Sequence, residues 1–348
     1  MKIETGKITS TFFKDYLLNK TGRNRKEVLI GPKFGVDVSI IDLNNGQALA
    51  MASDPLTLIP SLGIKESAWL SIQLTANDIA TTGLSPMYAQ FVMNLPEQLS
   101  PMDFNTYWDA IHNYCNDMAI AITGGHTGFI PKQNSTTPGG ATFIAIGQKE
   151  KMLTSNLAQV EDAILITKTA ALSASAILAM CFPETVKNKV GIENYDKACK
   201  SFYDISVLKE ALITTDYSNS ITAMHDVTEG GILGAIYEMV IASNKGAVIY
   251  NECLPIGNTQ AEICNLFSID PRYCVGAGAL VITCKKEAVK GVIQRLQKEN
   301  ILCTEVGKII KKQEGIHLIE NEIKTPIIYN QKDPYWNAFF TAINKGWK

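Results

Sequence analysis

The sequence predicts a two-domain fold of mixed strands and helices, and three observations carry that expectation. The chain has 348 residues, more than one domain of the usual size. Short apolar, strand-like runs alternate with segments of helical period along most of its length. A polar stretch at 149–161 separates GATFIAIG from DAILIT and places the domain boundary there. The first domain is therefore set at residues 1–153, the second at 154–330 and a C-terminal tail at 331–348.

Composition narrows the function classes. Apolar residues make up 46% and charged residues 19%, ordinary values for a globular protein. The formal net charge is −2, with no Lys/Arg stripe, which argues against nucleic acid as a partner. None of the eight cysteines forms C-x-x-C or stands beside His at zinc-like spacing, so they read as buried free thiols in a reducing compartment. The N-terminal MKIETGKITSTFFKDYL lacks a basic segment followed by an apolar one, so no secretory signal is expected. No apolar run approaches the roughly 20 residues that span a bilayer. The expected address is the cytoplasm, away from membranes.

Taken in chain order, the first informative stretch is 36–53. Val36, Val38 and Ile40 alternate with Asp37 and Ser39, the pattern of a half-buried strand, and Asn45-Gly46 is a strong two-residue hairpin signal. That register sets Asp37 opposite Asp54, a like-charge pair that a divalent cation would relieve. Next, Trp69, Ile72, Ala76, Ile79 and Ala80 predict a helix over 66–83, closed by Gly83. Asp78 lies near its C-terminus, where the helix dipole disfavours a carboxylate, and a bound cation would supply the reason.

Gly124-Gly125-His126-Thr127-Gly128 follows a strand-like 119–123 and reads as a turn whose amides can close on phosphate oxygens. Residues 132–140 read as an exposed loop. In the second half, a short apolar run enters His225-Asp226-Val227-Thr228-Glu229-Gly230-Gly231, and a helix follows as far as Gly246. Thr228 is the expected N-cap, while Gly230 and Gly231 let an anion approach first-turn amides. His225 beside Asp226 fits a general base with an orienting carboxylate. The tail, with Tyr335, Trp336, Phe339 and Phe340, predicts a short helix latched to the core by its aromatic face. Neither a Walker A nor a G-x-G-x-x-G pattern occurs, and no Ser-His-Asp or Cys-His nucleophile set is found.

These motifs together resemble a known family. Asp78-Ile-Ala-Thr-Thr-Gly83-Leu-Ser-Pro86 fits the D-x4-G-x-x-P signature of the aminoimidazole ribonucleotide (AIR) synthase-related, PurM-like superfamily. GVDVSII at 35–41, SDPLT at 53–57, GGHTG at 124–128, TK at 167–168, HDVTEGG at 225–231 and GAGALVIT at 276–283 follow in that superfamily's order. The chain looks most like the branch near the hydrogenase maturation factor HypE.

The resemblance implies an α+β fold of two PurM-like domains, with the N-terminal sheet joining a second subunit in a dimeric barrel. It implies ATP, with Mg2+ on Asp37, Asp54 and Asp78, and phosphates lined by Gly124, Gly125 and Thr127. Asp226, Thr228, Gly230 and Gly231 would meet them from the second domain, with Lys168 at a phosphate or the acceptor. His225, Asp226 and Lys168 are the expected catalytic residues.

Several positions depart from the relatives. The last cysteine is Cys303, so the C-terminal cysteine of HypE proteins is missing. No cysteine precedes Cys115, unlike the N-terminal loop of selenophosphate synthetases. The purine cyclo-ligase and thiamine phosphate kinase segments are also missing. His126 replaces an Asp, and Ala171–Ser175 replaces a G-x-E-G turn. The expectation is an ATP- and Mg2+-dependent enzyme that phosphorylates or dehydrates a small-molecule or protein-borne acceptor, as a homodimer. The alternative is a non-catalytic nucleotide-binding dimer serving as a maturation or docking partner.

Overall fold

A computed structural model describes residues 7–329 and 332–348. Residues 330 and 331, where the sequence places the start of the tail, lie outside it, as do residues 1–6 of the N-terminal stretch. The described chain forms two compact units. One comprises Glu27–Gly31 and Val38–Met152; the other comprises the segment up to Lys26, Pro32–Asp37 and Leu153–Lys348.

The first unit is a six-stranded sheet under two helices. Its strands are β1 (Val28–Ile30), β2 (Ser39–Asp42), β3 (Gln47–Pro55), β4 (Tyr88–Pro96), β5 (Ala121–Ile130) and β6 (Gly139–Gln148), in the order β1-β2-β3-β6-β4-β5. Only the β4–β5 pair is parallel among them. Strict alternation along β4 buries Ala89, Phe91, Met93 and Leu95 on one face. Helices Ile64–Ala80 and Pro101–Asp117 cover that face with Ile72, Ala76, Ile79, Tyr107 and Ile111. Alanines at 48, 50, 52, 141 and 145 keep the sheet side flat enough for close helix approach. The predicted helix over 66–83 is thus present, and Gly83 follows it with φ 79°.

The hairpin register differs from expectation by one residue. Ser39 pairs with Met51 and Asp42 with Ala48, and Leu43 N–H donates to Gln47 O, which leaves a three-residue loop at 44–46. Asn44 and Gly46 both take positive φ there, so Asn-Asn-Gly, rather than Asn-Gly alone, makes the turn. Because side chains alternate, the slip removes the expected Asp37–Asp54 pairing, and Asp37 lies before β2 begins.

The second unit holds a seven-stranded sheet made of β7 (Ala163–Thr167), β8 (Ile221–Asp226), β9 (Gly246–Tyr250), β10 (Leu280–Cys284), β11 (Cys303–Ile310), β12 (Ile316–Glu320) and β13 (Ile323–Pro326). The order is β13-β12-β9-β11-β7-β10-β8. Every residue of β7 and β10 is buried, which explains their unbroken apolar runs. Helix Gly231–Ala242 packs Ile232, Ile236, Met239 and Val240 into the core of this sheet. Gly246 starts β9 instead of ending that helix. Helix Pro334–Asn344 buries Tyr335, Ala338, Phe339 and Ala342. No helix among the described residues is long and apolar enough to cross a membrane.

Candidate active site

The strongest cluster of functional side chains forms where β8, the edge strand of the second sheet, ends in His225 and Asp226. A turn at 227–230 leads into helix Gly231–Ala242, which carries Glu238 about two turns along. Asp37 arrives from a separate segment, residues 32–37, that lies against the same helix. Gly35 makes this possible: its φ is 73°, and a Cβ there would come within 2.5 Å of the Glu238 carbonyl. Lys33 Nζ donates to Ala242 O at 2.8 Å, and the Ser155 hydroxyl donates to Gly35 O.

The result is a buried charge cluster. His225 Nδ1 lies 2.7 Å from Asp37 Oδ2, and its Nε2 lies 3.3 Å from Glu238 Oε2. The approach to Asp37 is a charge contact not directed as a hydrogen bond. Asp226 Oδ1 is 3.8 Å from Nδ1, beyond hydrogen-bond range. His225, Asp226 and Glu238 are each 1% exposed. Lys7 Nζ reaches both Glu238 oxygens, at 3.1 and 3.3 Å, and the Tyr329 hydroxyl donates to Glu238 Oε1.

Burial opposes charge on His225, but Asp37, Asp226 and Glu238 together raise its pKa well above 6.5. Both ring nitrogens face carboxylates, which favours the charged form of the ring. Glu238 is also penalised by burial, yet His225 and Lys7 hold its pKa down to about 2. Asp226 is raised, chiefly by burial.

Both oxygens of Asp226, and Oδ2 of Asp37, are buried without a hydrogen-bond partner. An orphaned buried carboxylate is costly, and a cation is the group that relieves it. Donor atoms of Asp37, His225 and Asp226 all lie within 4.8 Å of one another. Both ring nitrogens of His225 are turned to carboxylates, and the hard donors of the set are the carboxylates of Asp37 and Asp226. That set fits Mg2+, which is commonly held by one or two carboxylates together with substrate phosphates.

Asp54 and Asp78 lie in the other compact unit. Asp54 is half-buried in β3 opposite Ala141, and Asp78 is half-buried in the last turn of helix Ile64–Ala80.

The glycine motifs differ from expectation. Gly124, Gly125 and Thr127 stand inside β5, an exposed edge strand, and not in a turn after it. Gly125 is required by the sheet itself, because a Cβ there would fall 1.9 Å from Phe91 O. Gly230, not Thr228, is the N-cap of the following helix, with φ 85° and no side-chain cap. The amides of Gly230 and Gly231 are not open to an anion. Gly230 N–H donates to Asp333 Oδ2 at 2.7 Å, and Gly231 N–H to Thr228 O at 3.3 Å. Gly231 is needed for packing, since a Cβ would meet Arg272 O at 2.6 Å.

Lys168 is engaged structurally. Its ammonium bonds Asp204 O at 2.7 Å, Ser206 O, and the buried carboxylate of Glu210 at 2.8 Å, which uses all three donors.

Lys7, Glu238, Tyr329 and Asp333 were not legible as site residues. Glu238 carried the one usable signal, a lone carboxylate inside the apolar helix GILGAIYEMVIA.

The descriptions of known proteins agree with this architecture. The N-terminal domain of the AIR synthase related protein family matches residues 35–147, and its C-terminal domain matches 159–319. Selenide, water dikinase of Methanocaldococcus jannaschii is 27% identical over 319 residues, covering 86% of each chain. Carbamoyl dehydratase HypE of Escherichia coli is 23% identical over 257 residues, covering 72% of this chain and 71% of that one. A crystal structure of the hydrogenase maturation protein HypE in complex with ATP superposes with a TM-score of 0.67 at 16% identity, over 95% of this chain and 97% of that chain.

Proposed function

The chain belongs to the AIR synthase related protein family, and on that premise we propose an ATP- and Mg2+-dependent enzyme of HypE-like type that phosphorylates or dehydrates an amide-like or small-molecule acceptor. The observation that carries the reading is Asp226, a fully buried carboxylate with neither oxygen satisfied, set beside Asp37. Relatives named as a dikinase and a dehydratase, and a fold neighbour with ATP bound, support the ATP-using class.

In this reading Asp37 and Asp226 hold Mg2+, and Asp54 and Asp78 supply further carboxylates to metal. The bound metal neutralises charge spreading over the phosphoryl oxygens. Exposed backbone at Gly124, Gly125 and Thr127 and the half-buried Thr228 serve the phosphates. Gly230 and Gly231 serve by shaping the turn. His225 holds Asp37 and Glu238 in place through its two ring nitrogens, and while both are protonated it takes no proton as a base. Lys168 holds the turn at 204–206. The homodimer is supported by the uncovered face of the first sheet, where Leu49, Met51, Ile144 and Ile146 are half-buried and Val92 is 47% exposed.

The test is thermal unfolding with and without Mg-ATP, followed by ATP turnover against a panel of amide-bearing and phosphorylatable small acceptors. At about 100 times its dissociation constant the ligand stabilises by about 2.7 kcal/mol. Binding without turnover on any acceptor favours the nucleotide-binding docking protein; neither binding nor turnover removes both readings.

A further inference from the structure

We infer that the C-terminal segment is a working part of this site, with Asp333 a positioning residue for the Glu229-Gly230 turn that follows Asp226. The inference rests on the metal-binding reading of Asp226. Both family matches stop at or before residue 319, so the segment lies beyond them.

Asp333 is 2% exposed. Its Oδ2 accepts from Gly230 N–H at 2.7 Å, and its Oδ1 accepts from Tyr335 N–H at 2.9 Å. One carboxylate thus serves the N-termini of two helices, Gly231–Ala242 and its own, whose dipoles both favour an anion there. Capping its own helix needs only the second bond. The first reaches 103 residues back along the chain to the turn beside the metal-binding carboxylate.

A second bond from the same segment reaches the same turn. Trp336 Nε1–H donates to Glu229 Oε1 at 3.0 Å, while Lys7 N–H donates to Glu229 Oε2 at 2.9 Å. Tyr329 closes over Gly230, where an added Cβ would meet its ring at 3.5 Å. That ring is stacked on Tyr237, with centroids 4.8 Å apart and planes 6° from parallel. The tail is in turn fixed to the body, since Tyr335 and Phe339 are buried and Phe339 meets Phe182 edge-on at 5.4 Å.

The turn needs such an external hold. Gly230 and Gly231 both take positive φ, and two consecutive glycines leave the backbone after Asp226 with the widest conformational freedom. The bonds from Asp333 and Trp336 select one conformation of it. They thereby fix where the Asp226 carboxylate stands relative to Asp37.

The experiment compares the full chain with Asp333→Ala, Asp333→Asn and Trp336→Phe. Two quantities are read: amide hydrogen exchange at Glu229–Gly231, and binding of Mn2+ alone as a hard divalent probe. Asp333→Ala is expected to speed Gly230 exchange about tenfold or more and to weaken Mn2+ about tenfold. Asp333→Asn keeps one side-chain oxygen acceptor for two N–H donors and is expected to fall between the natural chain and Asp333→Ala on both. Trp336→Phe keeps an aromatic ring but loses the indole N–H and part of the ring, so it gives the same direction at Glu229 even where the alanine variant fails to fold. Natural exchange in both Asp333→Ala and Trp336→Phe overturns the inference. Unchanged Mn2+ affinity in both also overturns it. A natural chain that binds no Mn2+ sinks the metal reading instead, and Gly230 exchange then decides the positioning role alone.

Discussion

At His225 carboxylates on both sides more than offset the lost hydration of the charged ring. Asp37 lies 2.7 Å from one ring nitrogen and Glu238 3.3 Å from the other. Its raised folded pKa contributes stability that is complete below the unfolded value near 6.5 and is lost as pH climbs through the folded value. Nitrogen chemical shifts of the imidazole in metal-free protein at pH 7.5 are expected to show both nitrogens protonated; a neutral tautomer there would restore the general-base role. Glu238 has the opposite sign. Its folded pKa of about 2 lies below the ordinary 4.5, so its contribution is present above pH 4.5 and fades as pH falls towards 2. Replacing Glu238 by Gln removes the carboxylate shared by buried His225 and partly exposed Lys7 and is expected to cost about 3 kcal/mol at pH 7. Urea titrations should show that gap narrowing at pH 3, and an equal gap at both pH values would refute the assignment.

At the level of single elements, the glycines of β5 separate packing from binding. Gly125 abuts Phe91 O, whereas a Cβ on Gly124 meets nothing within 4 Å. Gly125→Ala is therefore expected to destabilise the chain by about 2 kcal/mol more than Gly124→Ala in thermal or urea unfolding. Equal effects would mean that β5 does not sit against β4 as described. The same pair carries a second expectation. Gly124→Ala meets no clash but is strained at φ 156°, so a loss of ATP affinity reports on phosphate contact along β5 where the variant unfolds like the natural chain. The neighbouring hairpin shows why short-range signals mislead: Asn45-Gly46 marks a turn, but Asn44 also takes positive φ and lengthens the loop by one residue. That single residue decides which side chains pair across the strands.

For the whole molecule, the first sheet has one face sealed by two helices and the other left apolar and partly open. A second copy covering that face would bury Leu49, Met51, Val92, Ile144 and Ile146. Sedimentation is expected to give a dimer, and Val92→Lys with Met51→Lys is expected to give a folded monomer. A natural chain that sediments as a monomer at micromolar concentration rules out that use of the face.

The sequence by itself determined the mixed two-part architecture, the strand runs and the helix before Gly83. Each of these is written in local periodicity and turn residues, which act between near neighbours. It also marked Asp37, Asp226 and the glycine-rich turns as unusual. Only the tertiary structure decided what those residues touch. It brought Lys7, Glu238 and Tyr329 to His225, filled the Gly230 amide with Asp333, and committed Lys168 to Glu210. Those partners are far apart along the chain, and no local pattern encodes them. Their meeting follows from which faces the core buries, and a buried charge is defined by what surrounds it.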